Sequence, residues 1–330
     1  MTYNPARFSM GRNASGGSAH SSPFLGRCSR QHIPKQRTYK NSLVAIHVPV
    51  LLRETLHALD LSPGLVVVDA TVGGGGHSRR ILEHITPTGT LIGLDRDPLM
   101  LQHAAAVLTG ERSHLCHASY RDLPDVLREL GIPAVDRIVV DLGLSSDQLA
   151  DRERGFGFAT SGPLDMRFDV SQGEPAAELL ARASADELEA IFRDYGEERF
   201  SRQIAEQIVR WRRTQPVQTV MDLVNAVDAA LPAAVRRDAR KEPATRVFQA
   251  LRIAVNRELQ HLEEALQQSF YESLRPGGRL VVITFHSLED RLVKQAFRDE
   301  TRWQILHKKP VCPSPQEIRL NPRSRSAKLR

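Results

Sequence analysis

The sequence predicts an α/β protein: an open, mostly parallel Rossmann-like sheet interrupted by an all-helical insertion. Three observations predict it. Short apolar runs at 66–69, 91–95 and 137–141, rich in Val, Ile and Leu, alternate with helical segments, as in sheets whose strands are buried on both faces. Each run ends in an aspartate, Asp69, Asp95 or Asp141, at the edge where such sheets bind ligands. From about residue 147 the strand pattern stops, and helical periodicity carries the chain to about residue 244.

The first run leads into Asp69-Ala-Thr-Val-Gly73-Gly74-Gly75-Gly76-His77. Glycines there let backbone approach a ligand with no Cβ between them. The helix that follows offers unpaired N–H groups. The turn is no P-loop, because Arg79-Arg80 follow where Lys-Ser/Thr would stand. Nor is it G-x-G-x-x-G, whose last position falls on Ser78 or Arg79, and this disfavours a nicotinamide oxidoreductase. What remains is strand-acid-x-x-x-G-x-G, a pattern common in S-adenosylmethionine methyltransferases; a ligand-free tight turn is the competing reading. Asp95 lies about 20 residues on, where an acid hydrogen-bonds ribose hydroxyls. Capping the helix before Pro98 is its alternative role, for which Asp97 is better placed.

The remaining elements follow in order. Leu52, Leu56 and Leu59 recur at helical spacing, and Pro63-Gly64 ends that helix. Helices are expected over 78–85, 98–108 and 123–130, with a weaker strand at 113–117. In the insertion, segments near 175–182, 185–194, 197–213 and 219–230 are helical. Arg199, Arg202, Arg210, Arg212 and Arg213 form either a basic face on the third of these or an outer face balanced by Glu197, Glu198 and Glu206. Residues 245–274 predict one long amphipathic helix. Pro276-Gly277-Gly278 turns it into a strand at 279–285, and Ser287-Leu-Glu-Asp290 resembles a capping box for the last helix. The expected organisation is a basic, disordered arm at 1–45, a discontinuous domain of 46–146 and 245–330, and a helical insert of 147–244.

Composition narrows the class. The chain has 330 residues, 41% of them hydrophobic, ample for a core, yet no apolar run approaches the ~20 residues of a membrane span. Its three cysteines, Cys28, Cys116 and Cys312, lie far apart without a CxxC. That argues against a disulfide framework or a zinc site and suits a reducing, cytoplasmic compartment. Charge is uneven. Residues 1–45 carry seven Lys/Arg and no acid, residues 301–330 carry eight and one, and the stretch between holds 30 basic and 38 acidic residues. Basic ends on an acidic body predict nucleic-acid contacts, strongest for the C-terminal segment. Docking of 321–330 onto the sheet domain is the alternative for that segment. The arm also reads as a transit peptide, weakened by Gly16-Gly17 and Pro23, or as an extension ahead of a start at Met10.

Several long runs resemble one family. These are Asp141-Leu-Gly-Leu-Ser-Ser-Asp-Gln148, Arg154-Gly-Phe-Gly-Phe158, Gly162-Pro-Leu-Asp-Met-Arg167, Tyr195-Gly-Glu-Glu-Arg-Phe200, Phe248-Gln-Ala-Leu-Arg252 with Asn256, Phe285-His-Ser-Leu-Glu-Asp-Arg291 and Asn321-Pro-Arg-Ser-Arg-Ser326. In order, from His47 to Arg330, they resemble the bacterial small-subunit ribosomal RNA cytosine-N(4) methyltransferases (the RsmH/MraW family). The resemblance implies a class I methyltransferase sheet, S-adenosylmethionine as cofactor, ribosomal RNA of the small subunit as partner, and an inserted helical domain for RNA. Its cofactor positions fall on Gly75, Gly76, His77, Asp95, Tyr120, Asp141 and Gln148. Gly157, Phe168 and Thr284 depart from the family's usual residues, Tyr120 stands where Phe is common, and 1–45 has no counterpart.

A cytosine amine is a poor nucleophile, because its lone pair is delocalised into the ring. A carboxylate that accepts an amine hydrogen helps it rehybridise. Asp141 occupies the slot after the fourth strand where many amino-methyltransferases place such a group, and is the candidate catalytic residue; a turn-capping Asp is the alternative. His286 is a weaker candidate base. Transfer to a ring carbon needs a cysteine nucleophile, and neither Cys116 nor Cys312 lies in a matching context. A methyltransferase for DNA or a small molecule, and a non-catalytic RNA-binding assembly factor retaining the fold, are the rival readings; the second predicts decayed glycines or strand-end acids, and here all are intact.

Overall fold

The computed structural model describes residues 28–29, 49–158, 161–236 and 244–330. The strands are β1 (Cys28–Ser29), β2 (Val66–Asp69), β3 (Thr90–Asp95), β4 (Ser113–His117), β5 (Val135–Asp141), β6 (Leu274–Thr284) and β7 (Lys328–Leu329). They form one sheet in the order β1-β4-β3-β2-β5-β6-β7. The pairs among β2–β6 are parallel, and β1 and β7 add antiparallel at the two edges. The chain runs outward from β2 to β4 and then returns to the other side of β2 for β5. This reversal is a topological switch point, which opens a crevice at the strand C-termini.

The period of two along each strand fills both faces. On one face Val67, Leu91 and Val139 pack under α1 (Leu52–Leu59), α2 (Gly76–Ile85) and α3 (Pro98–Val107). On the other, Val68, Ile92, Leu94 and Val140 meet residues of α4 (Leu123–Leu130) and of the later C-terminal helices. After β5 and α5 (Ser146–Ala150) the chain builds a helical layer from α6 (Ala176–Arg182), α7 (Ala185–Asp194), α8 (Ser201–Trp211), α9 (Val220–Ala230), α10 (Ala233–Arg236) and the first half of α11 (Thr245–Asn256). This layer has a core of its own, centred on Phe192, Ile204, Ile208, Leu223, Phe248 and Leu251. No helix among the described residues is long and apolar enough to cross a membrane.

The expected helix over 245–274 is broken. α11 ends at Asn256, and Arg257 takes a left-handed φ of 52° before α12 (Glu258–Glu264), a π turn and α13 (Phe270–Ser273). Side chains fix the break. The Asn256 amide donates to the carbonyl of Met166 and accepts from the amide of Phe168, both at 2.7 Å, and Arg252 pairs with Glu258 at 2.8 Å. An apolar stripe of one period crosses the break, so it hides in the pattern. The capping box of α14 (Ser287–Ala296) is formed by His286 and Glu289, one residue earlier than expected. One further helix, α15 (Pro315–Leu320), follows it.

The C-terminal segment is docked, as the alternative reading had it. β7 pairs with β6, and Lys328 and Arg330 both bind Asp290, at 2.9 and 2.6 Å. Two of the five arginines expected on the insert's third helix are engaged as well: Arg202 pairs with Asp186, Glu189 and Glu206, and Arg212 donates to the carbonyls of Leu180 and Ala183. Apart from Cys28–Ser29, which pairs with β4, the arm at 1–45 lies outside the described residues. Cys116 is disulfide-bonded and Cys312 is free, so the wide spacing of the cysteines misled for Cys116.

Candidate active site

A cleft opens at the C-terminal ends of β2, β3 and β5. Pro49 and Val50, the glycine turn, Asp95, Tyr120, Asp141, Gln148, Phe285 and Glu289 are among its lining residues. The turn is held from beneath. Asp95 accepts from the amides of Gly73 and Asp97, each at 2.9 Å. Asp69 accepts from the Ser78 hydroxyl at 2.7 Å and from the Thr71 amide at 3.3 Å. Gly75 takes a φ of +83° at the start of α2, a conformation that disfavours a Cβ. A Cβ on Gly76 would lie 2.7 Å from Pro49 Cγ, so this backbone and the cleft wall touch directly.

Of the expected site residues, Gly76, His77, Asp95, Tyr120, Asp141 and Gln148 line the cleft together. Gly75 does not; it faces Ala104 and Leu108 of the α3 side and supports the turn. The Gln148 amide is committed to structure: it donates to Asp97 at 2.9 Å and accepts from the Ser145 amide at 3.0 Å. Asp97, fully buried, caps α3 and meets Arg154 at 3.1 Å. Arg154 in turn donates to the carbonyls of Arg167 and Phe168. This chain of contacts joins the cleft wall to the helical layer.

Asp141 is placed differently. Its amide donates to the Thr71 hydroxyl at 2.7 Å, but its buried Oδ1 has no hydrogen-bond partner. Its Oδ2 lies 3.5 Å from His77 Nδ1. His77 Nε2 lies 3.1 Å from the carbonyl of Val50; a carbonyl can only accept, so Nε2 carries a proton and Nδ1 is the ring atom that faces the carboxyl. Burial, then the charges of Asp69 and Glu289, raise Asp141 well above the usual carboxylate range. Burial likewise raises Asp69 to about 6 and Asp95 to about 7, against the hydrogen bonds that each accepts. Three acids thus meet at one edge and none of them pairs with a Lys or Arg among the described residues, although Arg96 and Arg323 also line the cleft, so the three favour a cationic ligand or retained protons.

Sequence reasoning missed several lining residues. Arg96 donates to the carbonyl of Asn256 at 2.7 Å and reaches the cleft from beyond β3. Glu258 and Leu259 enter from just after the break at Arg257. Asn321 and Arg323 enter from the docked C-terminal segment, with Arg323 donating to the Ser146 hydroxyl at 2.5 Å. The run at 321–326, quoted above for its resemblance alone, was the signal for the last two. His286 is spent on capping α14, with Nε2 3.1 Å from Glu289, which favours the capping role over that of a base.

The MraW methylase family matches residues 44–330 of the chain. Relatives called ribosomal RNA small subunit methyltransferase H include one from Thermomicrobium roseum, 49% identical over 88% of this chain and 94% of the relative. Another, from a Cyanothece species, is 50% identical over 86% of this chain and 93% of the relative. Among solved structures, an rRNA methylase from Streptococcus thermophilus superposes with a TM-score of 0.39 at 11% identity, over 84% of this chain and 91% of that one; a likeness so distant carries no argument.

Proposed function

This chain belongs to the MraW methylase family, and from that premise we propose that it methylates the exocyclic amine of a cytidine in small-subunit ribosomal RNA, using S-adenosylmethionine. The observation that carries the chemistry is Asp141. Its orphaned, buried Oδ1 is an acceptor with nothing to accept from; an amine hydrogen fits that need.

The residues present fit the cofactor. When bound, S-adenosylmethionine supplies a methyl group on a positively charged sulfur. Asp69, Asp95 and Asp141, buried and unpaired with Lys or Arg among the described residues, complement that charge. We assign the binding surface to Gly76 and His77 at the start of α2, with Gly75 holding the turn behind them, Asp95 for the ribose, Tyr120 beside the adenine, Asp141, and Gln148 as the brace of the wall. Asp95 already accepts two backbone hydrogen bonds, but a carboxylate has about four acceptor sites. Asp141 is the catalytic residue of this proposal. It orients the amine, and in-line transfer then depends mainly on alignment.

We divide the chain into a methyltransferase domain of 46–146 and 245–330 and an RNA-recognition insert of 147–244, with 1–45 as a basic arm. The separate core of the helical layer supports this, although the first half of α11 contributes to that core. The substrate is assigned to the assembled or assembling subunit, and the compartment to the cytoplasm.

The test is to incubate the protein with labelled cofactor and either small subunits or free RNA, then digest to nucleosides. N4-methylated cytidine is expected. Label on a ring carbon, or none at all, overturns the assignment. Asp141→Asn is expected to lower turnover on the order of 100-fold while calorimetry gives nearly wild-type cofactor affinity; equal losses in both would assign Asp141 to the cofactor alone.

A further inference from the structure

β6 and α14 each have one end at the cleft, through Phe285 and Glu289. Their other ends line a second feature, a groove of about 950 Å³ between the 275–279 turn and the stretch 304–308. It therefore lies across the sheet from the cleft. Its lining holds Glu272 as the one acid among many bases. Several of those bases are spent: Arg275 pairs with Asp136, Arg279 with Asp60 and Arg330 with Asp290. Lys294, Arg298 and Lys308 are exposed and form no ion pair with the described residues. Two aromatic rings stand beside them, Tyr271 and Trp303, with centroids 6.0 Å apart, and Tyr271 is 46% exposed.

We infer that this groove is a second RNA-contacting surface, which holds backbone phosphates of the substrate on the side of the sheet away from the cleft. The inference rests on the proposed function for the identity of the polymer. The combination supports it: uncompensated cations track phosphates, and the half-exposed Tyr271 ring, with the Arg302 guanidinium 5.3 Å from its centroid, adds an aromatic surface beside them. A groove of this size suits a segment of polymer. Exposed Ile305 and Leu306 at its rim would suit a protein partner instead, and the test separates the two. The docked C-terminal segment spends Lys328 and Arg330 internally, whereas Lys294, Arg298 and Lys308 remain available in the groove.

Lys294→Gln, Arg298→Gln and Lys308→Gln, combined, are tested for binding to free small-subunit ribosomal RNA across a salt series. The log–log slope should fall by about 2, and affinity near 0.1 M salt should weaken at least about tenfold. Thermal midpoint and cofactor affinity should match wild type, and Arg298→Lys alone should leave the slope unchanged. The single variants Arg298→Gln and Lys308→Gln should each lower the slope by about 0.7–0.9, which keeps the test decisive if the triple variant is unstable. A wild-type slope in the variants overturns the inference. So does unchanged affinity for free RNA with weakened binding to intact subunits, which would assign the groove to a protein. If wild-type protein transfers no methyl group to RNA, the proposed function fails while the salt slope still decides the groove.

Discussion

The acids of the sheet edge and those of the helical layer have opposite surroundings. Asp69, Asp95 and Asp141 sit at strand ends, where burial raises each of them and no Lys or Arg pairs with them among the described residues. In the helical layer, partial burial raises Asp165 and Asp222, but hydrogen bonds from Arg167 and Thr219 outweigh it and both end below the usual range. Glu187 is lowered by the Ser184 amide and hydroxyl in its capping box. One set stabilises the fold as charges; the other holds a field that retained protons or a cationic ligand relieves. Residues that fold a protein and residues that serve a site are therefore separable here by what surrounds each carboxyl.

The sharpest way to break the comparison is at the buried Arg154–Asp97 pair that joins the two regions. Arg154→Ala strands the fully buried Asp97 and frees two carbonyls. Denaturant unfolding should register a loss of about 3–5 kcal/mol; a loss below about 1 kcal/mol would mean that this pair does not hold the regions together. Next is Asp95→Ala, which releases the amides of Gly73 and Asp97. Affinity for S-adenosylmethionine should weaken by about 1–3 kcal/mol, and calorimetry giving wild-type affinity in a folded variant would remove Asp95 from the site.

The two sets also respond to pH with opposite sign. Burial holds Asp69 at about 6 and Asp95 at about 7 in the folded chain, above the ordinary carboxylate value of about 3.9. The folded state then binds more protons than the unfolded one, so their stabilisation is complete at low pH and is lost as pH rises through 6–7. Asp165, Glu187 and Asp222 are lowered, so theirs is present at neutral pH and lost under acid. Stability of the cofactor-free protein should thus decline between pH 5 and 8, and Asp95→Asn should flatten that decline; an equal slope in both proteins would refute it. The smallest effect is expected at Arg182, whose pair with Glu174 is surface-exposed. Arg182→Ala should change stability by less than about 1 kcal/mol in the same unfolding assay.

The sheet and its acids were legible because β-branched runs and a terminal Asp are local signals. Strands at 66–69, 113–117 and 137–141, and the helices at 98–107 and 123–130, stand where their patterns put them. The left-handed turn at Arg257 was not legible, because its cause is Asn256 bonding to Met166 and Phe168, residues far away in sequence. The same holds for Gln148, whose amide is claimed by Asp97, and for the C-terminal basic residues, whose charges look free until Asp290 is found between them. Local periodicity carries no information about such partners. Composition therefore overstated how much of that segment was available to RNA.

The order of the sheet also bears on how the chain finds its shape. β5 and β6 are neighbours, yet residues 142–273 intervene. Closing a loop of that length costs about 4 kcal/mol in chain entropy, and reducing its effective length tenfold recovers about 2 kcal/mol. The helical layer has a core that it can form from local contacts, before β6 arrives. Once formed, it would shorten the span that β6 must search. The insertion would then act as a folding scaffold for the sheet that carries it, and the crevice beside β5 would close around its ligand only after the layer had collapsed.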